Sequence, residues 1–245
     1  MNDGRVGVVT GASGALGTAI ARSLSESGFS LMLHYHRNRS GAETLAAELS
    51  DGRSVKTCGV DLGRPGGGTV LVEKAIAEFG RVDVLINNAG RKVDAPLDRL
   101  PDEAWDAVLQ TNLTAAMNTT RAALPGMYER GWGRIVNITS IGAQTGYPGT
   151  AAYAASKAGL IGLTRAVAAE GARKGVTCNA IAPGLVDAGM GAELPPRAYA
   201  AMLAATPAGR AASPSEIGQL SAFLASAAGG FITGQVYSVN GGLYM

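Results

Sequence analysis

Arg5-Val6-Gly7-Val8-Val9-Thr10-Gly11-Ala12-Ser13-Gly14-Ala15-Leu16-Gly17 decides the fold. Residues 5–10 form a short apolar run of the kind that makes a buried strand. Gly11, Gly14 and Gly17 follow at once and open an amphipathic stretch that reaches Ser27 and stops at Gly28. The order is strand, glycine loop, helix. Such a loop lets the backbone come close to a pyrophosphate, whose charge then meets the free amides and the positive dipole end of the helix. Gly11, Ser13, Gly14, Ala15, Leu16 and Gly17 are therefore the candidate phosphate-binding residues.

Working outward, apolar strand patterns at 5–10, 29–34, 55–60, 82–87, 134–140, 176–182 and 235–239 alternate with helical patterns, without a long linker or an internal repeat. That alternation predicts α/β architecture: a single-domain Rossmann fold over 1–245, a doubly wound parallel sheet of about seven strands with helices on both faces. Ser40-Gly41-Ala42-Glu43 and Ser213-Pro214-Ser215-Glu216 read as capping boxes, and helices are expected over 102–125 and 150–171. The stretch 184–212 breaks the rhythm with Pro195, Pro196 and Pro207 around a short apolar helix.

Composition agrees. A chain of 245 residues with 47% hydrophobic content buries a large core, and a net charge of +2 with 16% charged residues leaves no basic stripe for nucleic acid. No apolar run approaches a bilayer span, and Met1-Asn2-Asp3-Gly4 carries no leader, so a soluble, cytoplasmic protein without a membrane partner is expected. Cys58 and Cys178 fall in strands that are not neighbours in the reading, which predicts buried, reduced thiols.

The chemistry lies further along. Tyr153 and Lys157 are four residues apart and share a helix face, so the ammonium is expected to lower a phenol pKa that starts near ~10 and let it exchange a proton near neutral pH. Ser140 ends the run Arg134-Ile135-Val136-Asn137-Ile138-Thr139-Ser140, where open α/β sheets bind their ligands. At the end of the second strand, Leu33-His34-Tyr35-His36-Arg37-Asn38-Arg39 has no carboxylate to accept from a ribose 2′-hydroxyl. Its arginines suit a 2′-phosphate, an interaction worth roughly 1.5–3 kcal/mol, so NADP (as NADPH) is the expected cofactor, with Arg37 as its reader.

Thr10 through Gly17, Asp61-Leu62, Asn87-Asn88-Ala89-Gly90, Asn112, Ser140, Tyr153, Lys157, Asn179, Pro183-Gly184 and the tail Thr233-Gly234-Gln235 with Val239-Asn240-Gly241-Gly242 occur in an order that resembles the short-chain dehydrogenase/reductase family. The resemblance covers nearly the whole chain. It implies hydride transfer to a carbonyl, with Tyr153 as proton donor, Ser140 bonding the same oxygen, Lys157 tuning the tyrosine and holding the nicotinamide ribose, and Asn112 fixing a water. It also implies cofactor contacts from His34, Asp61, Leu62, Asn88, Ala89, Gly90, Tyr153, Lys157, Pro183, Gly184 and Val186, and it makes 184–212 a substrate lid.

Two positions depart from the family pattern. Ala15 stands where the loop has its middle glycine, and Ala188 where a threonine bonds the cofactor, a loss of about 0.5–1.5 kcal/mol. The substrate expected from the resemblance is a 3-oxoacyl thioester on acyl carrier protein or coenzyme A, with another small ketone or alcohol, or a catalytically weak binding subunit, as alternatives. Lys174, with Arg130 and Arg134 near Gly131, corresponds to the cations that meet an acidic carrier protein. Small residues along 150–171 and apolar ones along 102–125 exceed one core-facing stripe and, with the resemblance, predict a homotetramer.

Overall fold

β-Branched and aliphatic side chains on both faces of each central strand demand cover on both sides, and the chain supplies it with helices above and below a parallel sheet. In a computed structural model that describes residues 4–50 and 52–245, seven strands lie in the order β3-β2-β1-β4-β5-β6-β7. They are β1 (Val6–Val9), β2 (Ser30–Tyr35), β3 (Val55–Gly59), β4 (Val84–Asn87), β5 (Gly133–Ile138), β6 (Val176–Pro183) and β7 (Val236–Val239), all paired in parallel. Met1-Asn2-Asp3, part of the segment expected to carry no leader, lies outside the described residues.

The helices are α1 (Ala15–Glu26), α2 (Arg39–Leu49), α3 (Gly67–Phe79), α4 (Asp102–Leu109), α5 (Ala115–Glu129), the short α6 (Gly142–Thr145), α7 (Ala151–Gly171), α8 (Pro196–Ala205) and α9 (Pro214–Ala225). Successive strand residues feed opposite cores, as the period of two requires. Val9, Leu31, Leu33 and Ile86 pack with Ile20 and Leu24 of α1, Leu45 of α2 and Ile217 of α9, whereas Val8, Met32 and Leu85 pack with Leu71 and Val72 of α3, Met127 of α5 and Val167 of α7. Each such leucine, isoleucine or valine contributes about 1.5–3 kcal/mol by leaving water.

Two local expectations are corrected. The first helix after β2 starts at Arg39, because the Asn38 side chain accepts from the Gly41 amide at 3.0 Å and so caps the helix ahead of Ser40. Glu43 pairs with Arg39 at 2.7 Å instead of closing a box. Ser213 and Glu216 do form their capping box, and Pro214 takes the first helical position. The helix expected over 102–125 is broken by a π turn, Gln110–Thr114, and then runs through Pro125 to Glu129. An inserted residue of this kind shifts the helix face, and such turns recur at functional sites.

Cys58 and Cys178 are buried and free, with β2, β1, β4 and β5 between their strands. Among the described residues no helix is long and apolar enough to cross a membrane. The strand order reverses direction between β1 and β4, so the loops leaving those strands diverge and open a crevice at the carboxyl edge of the sheet.

Candidate active site at the carboxyl edge of the sheet

Thr10, just past β1, joins the two diverging loops. Its hydroxyl donates to the Ile86 carbonyl at 3.2 Å and accepts from the amides of Asn88 at 2.8 Å and Ala89 at 2.9 Å. The Asn88 side chain returns the contact, donating to the carbonyls of Thr10 at 2.8 Å and Gly11 at 3.2 Å. The glycine turn and the Asn-Asn-Ala-Gly segment are thus one rigid unit. Nothing in the composition marks Thr10 for this work; only the register of β1 beside β4 does.

The turn itself bends at Gly11, whose φ of 65° is a conformation other residues rarely adopt. Gly17 faces the Gly11 carbonyl so closely that a Cβ there would clash with it. Gly14 is extended, with φ −89° and ψ 163°, and needs no glycine, so the substitution of Ala15 for the family's middle glycine strains nothing. The Ala15 methyl instead faces Gly189 across the turn, where a Cβ on Gly189 would lie 3.6 Å away. Among the described residues, the amides of Ser13, Ala15, Leu16 and Gly17 have no backbone acceptor outside their own helix. They are the donors available to an anion at the start of α1.

His34 sits beneath this turn and is almost fully buried. It supports the loop: its carbonyl accepts from the Ala12 amide at 2.8 Å. Arg37 is exposed and, among the described residues, makes no ion pair, while Arg39 is held by Glu43 and His36 stands 3.6 Å from Asp61. Asp61 also accepts from the Gly63 amide at 2.8 Å and faces Arg64. Leu62 is buried beside Thr10, Asn87 and Ala89.

The catalytic candidates converge. Ser140 follows β5 and accepts from the Gly142 amide at 3.1 Å, and its hydroxyl faces the Tyr153 phenol and favours its ionised form. Lys157 is buried, donates to the Ile138 carbonyl at 2.8 Å and lies 5.8 Å from the centre of the Tyr153 ring. The effect on the phenol is the reverse of the one expected. Burial raises the Tyr153 pKa, the Ser140 bond lowers it by less, and the Asp94 carboxylate raises it further. The ammonium approaches the ring while its proton is aimed at the strand carbonyl, so desolvation of the phenolate prevails.

Asn112, on the π turn, is buried and uses its whole amide: its Oδ1 accepts from the Arg91 amide at 2.8 Å, and its Nδ2 donates to the Arg91 carbonyl and to the Ser156 hydroxyl, both at 3.0 Å. These bonds make the side chain a clamp on the exit of β4. Gly90 lies between, where a Cβ would come within 3.4 Å of Lys157 Nζ and 3.5 Å of Asn112 Oδ1. Pro183 ends β6, and the Gly184 amide bonds the Val239 carbonyl at 2.9 Å. Val186 is buried and bridges to Ala212, which ties the two ends of the 184–212 stretch together.

The cations expected to meet a carrier protein do not reach this rim. Arg130 is engaged by the buried Asp83 at 3.3 Å and by the Val82 carbonyl at 2.6 Å, and Arg134 is buried against Trp132. Lys174 rests over the Tyr128 ring at 3.9 Å. All three flank the starts of β4, β5 and β6, the amino edge of the sheet, opposite Tyr153. Strand direction decides this, and spacing along the chain does not reveal it.

Burial lowers the Lys157 ammonium from 10.5 to about 8. Between those values the unfolded chain holds a proton that the folded chain has released, so this group's contribution to stability rises with pH above 8, and at pH 7 the full penalty is present. Lys157→Met should raise the unfolding free energy at pH 7 by about 2–3 kcal/mol, less the lost Ile138 bond, with the gain shrinking toward pH 10. Urea titrations of both proteins across pH 7–10 check this; a variant less stable at pH 7 by a pH-independent amount would contradict it.

A family model described as enoyl-(acyl carrier protein) reductase matches residues 11–244. The 3-oxoacyl-[acyl-carrier-protein] reductase of Vibrio cholerae serotype O1 is 40% identical over 243 residues, which cover 99% of this chain and 98% of that protein. Nodulation protein G of a Rhizobium species (strain N33) is 43% identical over 242 residues, 99% of this chain and 98% of that one. The acetoacetyl-CoA reductase of Shinella zoogloeoides is 39% identical over 247 residues, 98% of each. Since the match runs from the glycine turn through β7 without a break, and the topology and the Ser140, Tyr153, Lys157 cluster agree with it, the chain belongs to the short-chain dehydrogenase/reductase family.

Proposed function

We propose that this chain is an NADPH-dependent reductase that converts a 3-oxoacyl thioester, carried on acyl carrier protein or coenzyme A, to the 3-hydroxyacyl thioester. The observation that carries the reading is the convergence of Ser140 and a neutral Tyr153 in front of the buried Lys157, whose Nζ lies 5.8 Å from the centre of the tyrosine ring. A phenol held above its ordinary pKa keeps its proton at neutral pH, which suits donation to a carbonyl oxygen better than removal of a proton from an alcohol. Relatives named for two kinds of 3-oxoacyl thioester support the substrate class.

The residues fit a dinucleotide. Free amides at Ser13 and Ala15 through Gly17 meet a pyrophosphate, and Gly17 leaves the turn open for it. NADPH, when bound, supplies the hydride. Tyr153 donates the proton to the substrate oxygen, and Ser140, steadied by the Gly142 amide, bonds the same oxygen as charge develops. Lys157 holds positive charge behind the tyrosine and favours the phenolate that donation leaves. Asn112 keeps Gly90 and Arg91 at the distance this requires. Asn88, Ala89, Pro183, Gly184 and Val186 frame the nicotinamide side and Asp61 and Leu62 the adenine side. The 184–212 segment closes over the site as a lid, with Gly189 against Ala15 as its contact with the turn. A cytoplasmic location is part of this reading, because NADPH and acyl thioesters are made and used there.

Tyr153→Phe keeps the ring and removes the proton, so reduction of an acetoacetyl thioester should fall at least ~10²-fold while NADPH still binds. A panel containing that thioester, an enoyl thioester and unrelated ketones, followed by NADPH oxidation, identifies the substrate class. Turnover of the variant above about a tenth of wild type, set against that ~10²-fold, removes Tyr153 from the acid role.

Arg37 reads the 2′-phosphate. Among the described residues it makes no ion pair, and it directly precedes Asn38, which with Ser13 and Ser40 lines an open trough of about 340 Å³ between α1 and α2. Arg37→Asp should erase or invert the cofactor preference through repulsion. Equal wild-type kcat/KM for NADH and NADPH would refute the assignment.

The assembly is a homotetramer. Ala158, Gly162, Ala166 and Ala169 leave an exposed small-residue stripe on α7, and Leu109, Leu113 and Met117 are only partly buried on α4, the π turn and α5. Symmetric pairing of these faces buries the excess and steadies the catalytic helix from behind. Light scattering at micromolar concentration should give about four times the 24.8 kDa chain mass; a monomer mass rules the assembly out.

A further inference from the structure

His34 is placed where a strand residue would ordinarily be apolar, on the β2 face that carries Met32, and it is 2% exposed. Both ring nitrogens are engaged. Nδ1 lies 2.9 Å from the Gly11 amide and Nε2 2.9 Å from the Val60 carbonyl just past β3. The partners fix the tautomer without appeal to resolution of hydrogens: an amide N–H can only donate and a carbonyl can only accept, so Nδ1 carries the lone pair and Nε2 the proton. A second proton would set a donor against the Gly11 amide. Burial, the largest influence, holds the imidazole below its ordinary pKa and acts in the same direction, as does His36, while the Val60 carbonyl and Asp61 oppose them.

The Gly11 amide is thereby turned inward, and its neighbour Ala12 is turned inward too, by the His34 carbonyl at 2.8 Å. With two consecutive amides held under the turn, the chain can reach α1 only with Ser13 and the first helical amides facing the crevice. Thr10 fixes the turn sideways to β4 and His34 fixes it from below to β2 and β3.

We propose that His34 is the positioning residue of the phosphate-binding turn, and that its Nδ1 bond to Gly11, rather than its bulk or its bond to Val60, sets the geometry that receives the cofactor. The inference rests on the reading of that turn as the NADPH phosphate site. The two bonds separate by substitution, since the Oδ1 of an asparagine can take the place of Nδ1 and the Nε2 of a glutamine the place of the ring Nε2.

His34→Asn keeps an acceptor for Gly11 and loses the Val60 bond; His34→Gln does the reverse. Amide hydrogen exchange at Gly11 in the cofactor-free protein and direct titration of NADPH by nicotinamide fluorescence are measured on both variants and the wild type. In His34→Gln, Gly11 exchange should accelerate and the NADPH Kd rise by about tenfold each, the scale of one lost buried hydrogen bond, with kcat at saturating NADPH little changed. His34→Asn should restore both to within about threefold, the lower end of what one lost hydrogen bond costs. A glutamine variant that matches the wild type, or an asparagine variant that loses as much as the glutamine one, assigns His34 to packing alone and overturns the proposal. If the wild type itself does not bind NADPH, the functional reading fails, and the exchange pattern at Gly11 still decides whether His34 holds the turn.

Discussion

One hydroxyl, that of Thr10, holds the two halves of the site together. A parallel sheet whose strand order reverses must let its loops diverge, and divergence costs order where the chemistry needs it most. Thr10 answers with one donated and two accepted bonds, which together tie the turn after β1 to the exit of β4. Replacing it by an apolar residue would leave the Ala89 amide without its acceptor and the Asn88 amide with the Ile86 carbonyl alone, at 3.1 Å. From there the order propagates. Asn88 and Ala89 lead into Gly90 and Arg91, Asn112 grips Arg91 at both of its backbone polar groups, and the same amide reaches Ser156 next to Lys157. The glycine turn and the neighbourhood of Lys157 are thus joined by hydrogen bonds through segments distant in sequence.

Behind this edge lies a buried polar ladder. Thr119 donates to Asn87 at 2.7 Å, Asn87 to Asn137 at 2.8 Å, and Asn137 to Thr164 at 2.8 Å, linking α5, β4, β5 and α7. Each member is satisfied, so the ladder carries no desolvation debt and fixes the register of side chains that apolar packing alone would leave free to slide. Thr164 is two turns from Lys157 on the same helix. The ladder and the Ile138 carbonyl therefore set the pitch at which α7 presents Tyr153 and Lys157 to the end of β5.

Burial of Lys157 works against stability and for chemistry. An ammonium lowered to about 8 is a charge taken from water without an opposite charge in contact. The Tyr153 phenol, raised above its ordinary value, is neutral at pH 7 in the folded and the unfolded chain alike and adds no such cost there. The cost of the lysine is offset by two extensive cores on either face of the sheet. In the proposed acid role the tyrosine would keep its proton until the substrate oxygen develops charge, and the lysine would lie close enough to stabilise what is left.

The fold was legible in the chain because strand patterns of period two alternate with helical ones, and a glycine turn at the first crossing names the crevice. The residue types of the site were legible as well, since Ser140, Tyr153 and Lys157 have few other reasons to stand in that order. Side-chain direction was not. Spacing along a helix brings Lys157 near Tyr153, but whether water reaches the pair is decided by α7 lying against β5, and exclusion of water reversed the expected shift. The resemblance also grouped Lys174, Arg130 and Arg134 as rim cations, while the direction of the strands sends them to the opposite edge. The bonds of His34 to Gly11 and Val60, which no motif in the chain reveals, come from the tertiary structure. Periodicity and motif order are local properties of a chain, and they determined the architecture and the chemistry; desolvation and hydrogen-bond partnership depend on segments far apart in sequence, so only the tertiary structure decided them.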